Sequence, residues 1–564
     1  MSRPDLASWR LTPAQISLLL TVVVGIIAGL SAVLFALAID GAQHLFFGAT
    51  PSVWRLIAVP ALVSVLTGIL LVRVFPGVRG SGVPQTKAAY HLKSGVIDPM
   101  VPIGKFITGI LCIGSGHSIG REGPSVQIGA GIASWAGQWL RLPEANIRTL
   151  VPVGASAALS AAFNTPVAAV IFTLEEIIGD LNAPLLGSAV LSSVTAVVVA
   201  RSILGNEPLF HVPQYELLHS AELLAYVALG LIAGAASVAF SKGMLRARRA
   251  FLDLPPSTRM WQPAMGGLAI GLLLVFVPEV AGVGYGYVDQ ALNGGLLLQT
   301  MLVLCVVKMV ATIVSYSSGN AGGVFAPTLY FGAMLGGAVG LIAREVFPFP
   351  VGEPGAYALV GMGALFAGII RAPMTSVFMI FEITQDYAII VPLMVANMLS
   401  LGISRRYQRV PLYEAFLLQD GVHLPKTAAS AESSAGWRAV DVMSSQVPWA
   451  DPGLTAAGML DAMPPDAAAM LVGTPDTVRG LARRDHLESQ VAAGRGADPV
   501  TALPLEACPH VHADHSIDVV IERLRQSCGM VPVLARSDVQ RVEGVITRDT
   551  IVGILVPDET TSRT

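Results

Sequence analysis

One ten-residue pattern occurs twice in the chain, and this duplication limits the folds that the sequence can adopt. The pattern G-x-x-x-P-[ST]-x-x-x-G covers 120–129 and again 323–332, and each copy opens onto an apolar stretch. Three further landmarks recur in the same order, and the four pairs are Gly120 and Gly323, Gly154 and Gly363, Pro166 and Pro373, and Glu175 and Glu382. The separations within these pairs are 203, 209, 207 and 207 residues. The constant order indicates two duplicated halves, which we place at 14–210 and 211–413.

The composition places both halves in a membrane. Of the 564 residues, 53% are hydrophobic and 13% are charged, and the mean hydropathy is +0.65. A soluble protein has about twice this share of charged residues. Several apolar runs approach the roughly 20 residues that a helix needs to cross a bilayer. They lie near 16–39, 54–72, 184–200, 222–240, 264–281, 299–314 and 387–403. The sequence therefore predicts an all-α polytopic membrane protein.

Other apolar runs are shorter and are interrupted by Gly, Pro or Ser. These runs lie around 106–119, 124–138, 151–174, 327–342 and 359–381. Lipid cannot satisfy free backbone amides, so irregular backbone at this depth must face protein or water. We therefore expect broken or re-entrant helices. If the two halves are inverted, the ends of these helices meet near the bilayer midplane, where such transporters bind their substrate.

Basic residues indicate the orientation of the chain. They cluster outside the apolar runs, at Arg3, Arg10, Lys242, Arg246, Arg248, Arg249, Arg405, Arg406 and Arg409. Cytoplasmic loops are enriched in Lys and Arg. We therefore expect a protein of the cell membrane (plasma or inner membrane) with both termini, including the N-terminal segment 1–13, in the cytoplasm. The four cysteines have neither metal nor disulfide spacing, which is typical of a reducing compartment. We expect no metal and no cofactor, and no nucleic-acid partner.

The region after Tyr413 differs from the membrane halves in composition. It is rich in Asp, Arg, Ala and Pro, and we divide it into a linker (414–436), a domain (437–556) and a tail (557–564). The domain contains two successive strand–helix–strand patterns, the second formed by Val511, 517–524, 530–534 and 544–547.

This domain resembles a pair of cystathionine-beta-synthase (CBS) repeats, which are small α/β regulatory modules that often bind adenosine nucleotides. In such repeats a Gly is followed by hydroxyl and Asp positions. After Gly544 the matching residues are Thr547 and Asp549, although the Asp is one residue from its usual place. The resemblance implies a cytoplasmic regulatory domain and an adenosine nucleotide as a possible partner.

Four motifs in the membrane halves carry a second resemblance. They are Gly80-Ser81-Gly82-Val83-Pro84, Gly120-Arg121-Glu122-Gly123-Pro124, Gly323-Val324-Phe325-Ala326-Pro327 and Pro411-Leu412-Tyr413. Residues 14–415 thereby resemble the CLC family of chloride channels and chloride/proton antiporters. The resemblance implies an inverted repeat of broken and re-entrant helices, and a homodimer with one pathway in each subunit. The supporting motif residues are Gly80, Gly82, Pro84, Gly120, Arg121, Gly123, Pro124, Gly323 and Pro327.

The resemblance also implies a chloride site. Its ligands would be the hydroxyls of Ser81 and Tyr413 and the main-chain amides of Val324 and Phe325. Partial charges at helix N-termini suit an anion that must bind and then leave. Taken alone, Ser81 would more often be a helix-kinking hydroxyl and Tyr413 an interfacial aromatic residue, but their joint occurrence in the motifs favours the anion site.

Two acidic positions suggest proton transfer. In the family the residue at Glu122 gates the anion path and carries protons, and the residue at Glu176 separates antiporters from channels. Glu122 could otherwise be a carboxylate stabilised by a helix dipole. Glu175 and Glu176 could likewise mark a helix end at the membrane surface.

Chloride/proton exchange is therefore the expected function. The first alternative is a passive chloride channel on the same fold. A distant one is an intramembrane enzyme with Ser81 as nucleophile, but no paired His or Lys base is identifiable, and we expect no enzymatic activity. For Lys105 and Lys308, which lie in apolar segments, we expect pairing with a carboxylate or snorkelling. His510, His512 and His515 could hold zinc with Cys508, but an ordinary strand is favoured.

Overall fold

The computed structural model forms two compact units, residues 1–425 and 426–564. It describes residues 13–551 apart from 49, 182–184, 207–208, 211, 213–214, 216–218, 426–436, 465–466, 468, 504, 506–508, 528, 537 and 549. Residues 1–12 of the predicted N-terminal segment, residues 426–436 of the linker and the final tail lie outside the described residues, as do Asp549 and Cys508.

The described residues of the first half of the membrane unit contain eight α-helices. They are α1 (Pro13–Phe47), α2 (Val53–Ile69), α3 (Val83–Leu92), α4 (Met100–Gly114), α5 (Glu122–Trp139), α6 (Glu144–Phe163), α7 (Pro166–Phe172) and α8 (Leu186–Leu204). Two of them continue as π-helical turns, α2 into Leu70–Val74 and α7 into Thr173–Ile178.

The second half repeats this series of long and short helices. Its members are α9 (Leu223–Leu252), α10 (Gln262–Phe276), α11 (Tyr285–Leu292), α12 (Leu298–Ser317), α13 (Phe325–Val346), α14 (Pro354–Ile369), α15 (Pro373–Thr384) and α16 (Ile390–Tyr407). A further helix, α17 (Leu412–Gln419), follows and packs against α3. The duplicated motifs occupy equivalent helix starts, because one pentad opens α5 and the other opens α13.

Within the described part of the chain, six helical segments are long and apolar enough to cross a membrane. They are Gln15–Phe47, Val53–Val74, Leu186–Leu204, Ser220–Leu252, Leu298–Ser317 and Phe325–Val346. Shorter apolar helices alternate with these spans, as expected for a fold with broken helices. The run near 264–281 forms only the 15-residue α10, because Pro278 disfavours helix in the residue before it.

The expected interruption near 327–342 is wrong, since α13 is continuous over 22 residues. Its glycines do not break the helix but allow close packing on α14. A methyl group on Gly332 would lie 2.7 Å from both Gly361 O and Met362 Cα. The run near 124–138 is likewise continuous, in α5 (Glu122–Trp139), whereas the runs near 151–174 and 359–381 are broken. The chain leaves α6 at Asn164 and α14 near Arg371, both in the left-handed region with φ of 60° and 67°.

Reciprocal contacts join the two halves. The Glu175 carboxylate accepts hydrogen bonds from the amides of Met374 (3.2 Å) and Thr375 (2.9 Å) in the first turn of α15. The Glu382 carboxylate accepts from Val167 N (2.9 Å) and Ala168 N (2.7 Å) in the first turn of α7. Each half thus caps the equivalent helix of the other, which is the pattern that a pseudo-two-fold relation produces.

The two buried lysines also have equivalent partners. Lys105 Nζ donates to Val78 O at 2.5 Å and Gly80 O at 2.7 Å. Lys308 Nζ donates to Val280 O at 3.0 Å and Gly282 O at 2.7 Å. Both side chains are fully buried. The expected carboxylate pairing is therefore wrong, because each ammonium is satisfied by carbonyls of the loop that precedes α3 or α11.

The second unit contains the same three-stranded arrangement twice. The strands are β1 (Trp449–Ala450), β2 (Ala469–Thr474), β3 (Thr477–Arg483), β4 (Val511–His512), β5 (Met530–Ala535) and β6 (Asp538–Thr547). In each sheet the first pair is parallel and the second antiparallel. The helices are α18 (Ala439–Val442), α19 (Ala456–Ala462), α20 (Arg484–Ala492) and α21 (Ile517–Gln526). The predicted small α/β domain is confirmed.

Candidate functional site

Three chain segments meet at glycines in the middle of the membrane unit. Gly120 N donates to Gly323 O at 2.7 Å, and Gly323 N donates to Gly120 O at 2.8 Å. A methyl group on Gly123 would lie 2.6 Å from Ser81 Oγ and 3.1 Å from Gly323 Cα. A side chain at Gly123 would therefore separate the segments, and glycine allows the backbones to approach.

The supporting motif residues shape these segments. Gly80 and Gly82 have φ of 90° and 107°, conformations that other residues rarely adopt. Pro84, Pro124 and Pro327 occupy the first turns of α3, α5 and α13, where a helix has amides without an intrahelical acceptor. The prolines thus start three helices whose N-termini point into the same region.

Among the buried hydroxyl groups without a hydrogen-bond partner in the described residues are those of Ser81 and Tyr413. Both residues are 0% exposed. The Ser81 and Tyr413 side chains are neighbours. A buried hydroxyl without a partner is destabilising, so such groups in native proteins usually have a ligand or a function.

The N-terminus of α13 supplies backbone donors. Val324 precedes the helix, and Phe325 is its first residue. The amides at such a position have no intrahelical acceptor, and the helix dipole is positive there. The Phe325 ring is held by three neighbours, with ring centroids 4.9 Å from Phe163, 5.5 Å from Phe172 and 4.5 Å from Phe366. This aromatic packing fixes the position of the donors.

Glu122 follows the Gly120 end of the glycine pair in the chain. It is the first residue of α5 and is 0% exposed. Tyr285 OH donates to Glu122 Oε1, whereas Oε2 has no hydrogen-bond partner within the described part of the chain. A methyl group on Gly120 would clash with Glu122 Oε2 and lie 3.1 Å from Ala326 N. The carboxylate therefore faces the first turn of α13.

A cavity of about 360 Å³ is lined by Arg121 and Tyr285, the residues next to this carboxylate in the chain and in space. Its lining also includes Tyr287, Asp40 and Glu279. The Arg121 guanidinium lies 5.6 Å from the centroid of the Tyr285 ring. Tyr285 was not found by sequence reasoning. It follows Gly282 and Gly284, which correspond to Gly80 and Gly82 around Ser81. This repeated glycine pair is the sequence feature that could have identified Tyr285.

The second predicted proton-transfer residue lies apart from Glu122, in the π-helical turn after α7. Glu176 Oε1 is 3.0 Å from Lys87 Nζ, and the two side chains are 6% and 14% exposed. Lys87 lies in α3, the helix that begins just after Ser81. Sequence reasoning missed this lysine because no spacing rule connects α3 with the turn after α7. Glu175, the adjacent carboxylate, caps α15 instead.

The predicted nucleotide position in the second unit is only partly described, because Asp549 lies outside the described residues. Thr547 N donates to Thr550 Oγ1 at 2.9 Å, and Thr550 N donates to Thr547 Oγ1 at 3.3 Å. In the other half of the second unit, Asp485 lies in the first turn of α20 and is exposed. A hydrogen bond from Arg483 holds the pKa of its carboxyl below its usual value.

The histidines of the second unit do not form a metal centre in the described residues. No group of three or more potential metal ligands is found there. The His512 and His515 rings lie 5.1 Å apart, and His515 Nδ1 accepts the His512 amide at 3.2 Å. Burial, followed by the neighbouring His512, lowers the pKa of His515.

Comparisons with known proteins agree with this architecture. The family described as Voltage gated chloride channel matches residues 63–405. The H(+)/Cl(-) exchange transporter ClcA of Vibrio cholerae is 32% identical over 431 residues, which cover 72% of this chain and 90% of that protein.

Two solved structures are similar to the fold. A slow cyanobacterial Cl-/H+ antiporter is 28% identical, with a TM-score of 0.67, and the match covers 73% of this chain and 98% of that one. A eukaryotic CLC transporter is 19% identical, with a TM-score of 0.63, and the match covers 95% of this chain and 97% of that one. At this identity the similarity supports the fold alone. The repeated helices, the motif positions and these similarities show that the chain belongs to the voltage gated chloride channel (CLC) family.

Proposed function

We propose that this protein exchanges chloride for protons across a membrane. The observation that carries the proposal is the buried Glu122 carboxylate beside the first turn of α13, the helix start that would supply the backbone donors for an anion. Similarity to proteins named as H(+)/Cl(-) exchange transporters supports this choice. The buried hydroxyls and the carboxylates are then parts of a permeation pathway rather than of an enzyme.

The chloride ligands in this proposal are the hydroxyls of Ser81 and Tyr413 and the amides of Val324 and Phe325. All four residues are almost fully buried, and the two hydroxyls lack other hydrogen-bond partners among the described residues. In a low-dielectric site, donors with partial charges stabilise an anion without the strong binding of a full positive charge. Such a site can therefore also release its ion.

Glu122 acts in this proposal as gate and proton carrier. When it is ionised, its carboxylate occupies the α13 donors and excludes chloride from them. When it is protonated, it has no net charge, so chloride displaces it and the side chain withdraws toward the cavity that Arg121 and Tyr285 line. One residue thereby couples proton binding to anion movement.

Glu176 is the proposed inner proton-transfer residue. Its ion pair with Lys87 holds the buried Glu176 carboxylate next to α3, the helix that begins just after Ser81. A proton reaching Glu176 neutralises one partner of this pair. The proton path would then approach the anion site from the α3 side.

The family and the basic residues of the sequence support a proposal for the oligomeric state and the location of the protein. We propose a homodimer in the plasma or inner membrane, with both termini and the second unit in the cytoplasm. We further propose that the second unit is a pair of CBS repeats, since its two sheets share one topology. An adenosine nucleotide at Thr547 and Asp549 would have to displace a bond between Thr547 and Thr550.

Reconstitution tests the proposed exchange. Purified protein in liposomes receives a chloride gradient without a pH gradient, and proton movement is followed with a pH electrode. We expect chloride flowing down its gradient to drive protons in the opposite direction. Glu122→Gln should abolish proton movement and leave chloride flux, and Glu176→Val should do the same.

A matched control is Glu279→Gln, which changes a carboxylate that lines the same cavity as Arg121 and Tyr285. This variant should keep coupled exchange. A wild-type protein that dissipates chloride without moving protons would be a passive channel. If both Glu122→Gln and Glu176→Val retain full coupling, the assigned proton path is wrong.

A further inference from the structure

The loop that carries Ser81 has a structural counterpart in the second half. Gly80 and Gly82, with positive φ before α3, correspond to Gly282 and Gly284, with φ of 57° and 80° before α11. Lys105 binds the first loop through Gly80 O, and Lys308 binds the second through Gly282 O. The two loops therefore share paired glycines with positive φ and an anchoring cation.

The two loops present different side chains. The first carries the Ser81 hydroxyl, whereas the second has Val283 at the equivalent position and places Tyr285 at the start of α11. The Tyr285 hydroxyl donates to Glu122 Oε1. One copy of the duplicated loop thus contributes to the proposed anion site, and the other contacts the proposed gate.

The geometry points to Tyr285 as a latch: we propose that its hydroxyl holds the ionised Glu122 in the closed position and thereby sets the pH at which the gate opens. This inference rests on the gating role proposed for Glu122. Tyr285 is a positioning residue, because it acts on transport through Glu122.

Packing directs the hydroxyl at the carboxylate. The Phe210 ring meets the Tyr285 ring edge-on, with centroids 5.3 Å apart and planes at 90°. The Arg121 guanidinium lies on the same ring at 5.6 Å. The ring is thus contacted by two neighbours, so removing the hydroxyl alone leaves its packing in place.

Among the described residues, the titratable or charged side chains that act on the Glu122 carboxylate include Arg121, Tyr285 and Tyr413. Arg121 precedes it in the chain, Tyr285 approaches from α11, and Tyr413 interacts from α17 at longer range. Of these, Tyr285 makes a direct side-chain hydrogen bond to it. A donor bonded to a carboxylate stabilises the ionised form, so loss of the donor lets a proton bind at higher pH.

The test is Tyr285→Phe in liposomes, with chloride and proton fluxes measured across a pH series. We expect the pH midpoint of chloride flux to move to higher pH by about one unit, the size of effect expected for one hydrogen bond to a charged group. The ratio of chloride to protons should stay unchanged, because Glu122 still carries the proton.

Tyr287→Phe is the matched control, since Tyr287 lies in the same helix and lines the same cavity. No hydrogen bond from its side chain to Glu122 is present among the described residues, and its midpoint should equal that of the wild type. In a Glu122→Gln background, Tyr285→Phe should leave the pH profile of chloride flux unchanged.

Two outcomes would overturn the latch. The first is an unchanged midpoint in Tyr285→Phe protein that elutes as folded protein and retains coupling. The second is an equal shift in the Glu122→Gln background, which would show that Tyr285 acts on another group. Failure of the proposed function is distinguishable, because Glu122→Gln would then remain coupled whatever residue occupies position 285.

Discussion

Buried charged side chains are the residues whose roles follow most directly from their partners. The Lys87–Glu176 pair is 3.0 Å long and almost fully shielded from solvent. A buried ion pair adds little net stability, but a single remaining partner is strongly destabilising because its charge is no longer compensated. Each member therefore depends on the other.

Lys87→Met should lower the stability of the membrane unit by about 3 kcal/mol, since it leaves Glu176 buried without its cation. The double variant Lys87→Met/Glu176→Leu should recover most of this loss. Thermal unfolding in detergent measures both. Lys93→Met, at an exposed lysine just after α3, is the control and should be neutral. Equal melting temperatures for Lys87→Met and wild type would refute this prediction.

Gly123→Ala should weaken chloride binding about tenfold, because the new methyl group would lie 2.6 Å from Ser81 Oγ and would displace it. The dependence of chloride flux on chloride concentration measures this change. Gly187→Ala, in α8, has no atom within 4 Å of the added methyl group and should bind as the wild type does. Unchanged affinity in Gly123→Ala would contradict the close approach of the three segments.

At the scale of elements, the sequence indicated which helices are equivalent but not how they contact each other. Glu175 and Glu382 were recognised as repeated landmarks. Their capping of α15 and α7 was not predictable, because no local pattern specifies a contact between residues about 200 positions apart in the chain. The lysine partners were wrongly expected to be carboxylates for the same reason.

Glu175→Gln and Glu382→Gln should each lower stability by about 1 kcal/mol, since each removes a charged acceptor from a helix N-terminus. Chemical unfolding in detergent measures the loss. Glu345→Gln, at an exposed position in α13, is the control. The reciprocal arrangement predicts similar losses for the two variants. A large loss in one and none in the other would show that the two caps are not equivalent.

At the scale of the whole molecule, the duplication, the membrane class and the α/β nature of the second unit were all predictable from the sequence. These features depend on composition and periodicity, which can be read locally. The residues around Glu122 were only half predictable. Ser81, Glu122 and Tyr413 lie in motifs, whereas Tyr285 reaches the site through tertiary packing.

Residues 1–425 should fold and exchange ions without the second unit, because they form a compact unit with their own hydrophobic core. A chain ending at Pro425, reconstituted in liposomes, should keep the wild-type ratio of chloride to protons. If adenosine nucleotides change the transport rate of the full chain, they should leave the transport rate of the truncated chain unchanged. Loss of coupling in a folded truncated protein would contradict the assignment of transport to the membrane unit.

In the proposed anion site, Ser81 and Tyr413 bind chloride together with the amides at the start of α13. Isothermal titration of purified protein with chloride, comparing the wild type with the double variant Ser81→Ala/Tyr413→Phe, measures their contribution. Chloride should bind the double variant at least about tenfold more weakly, because two hydroxyl donors are lost. Chloride binding with unchanged affinity in a folded double variant would contradict the proposed site.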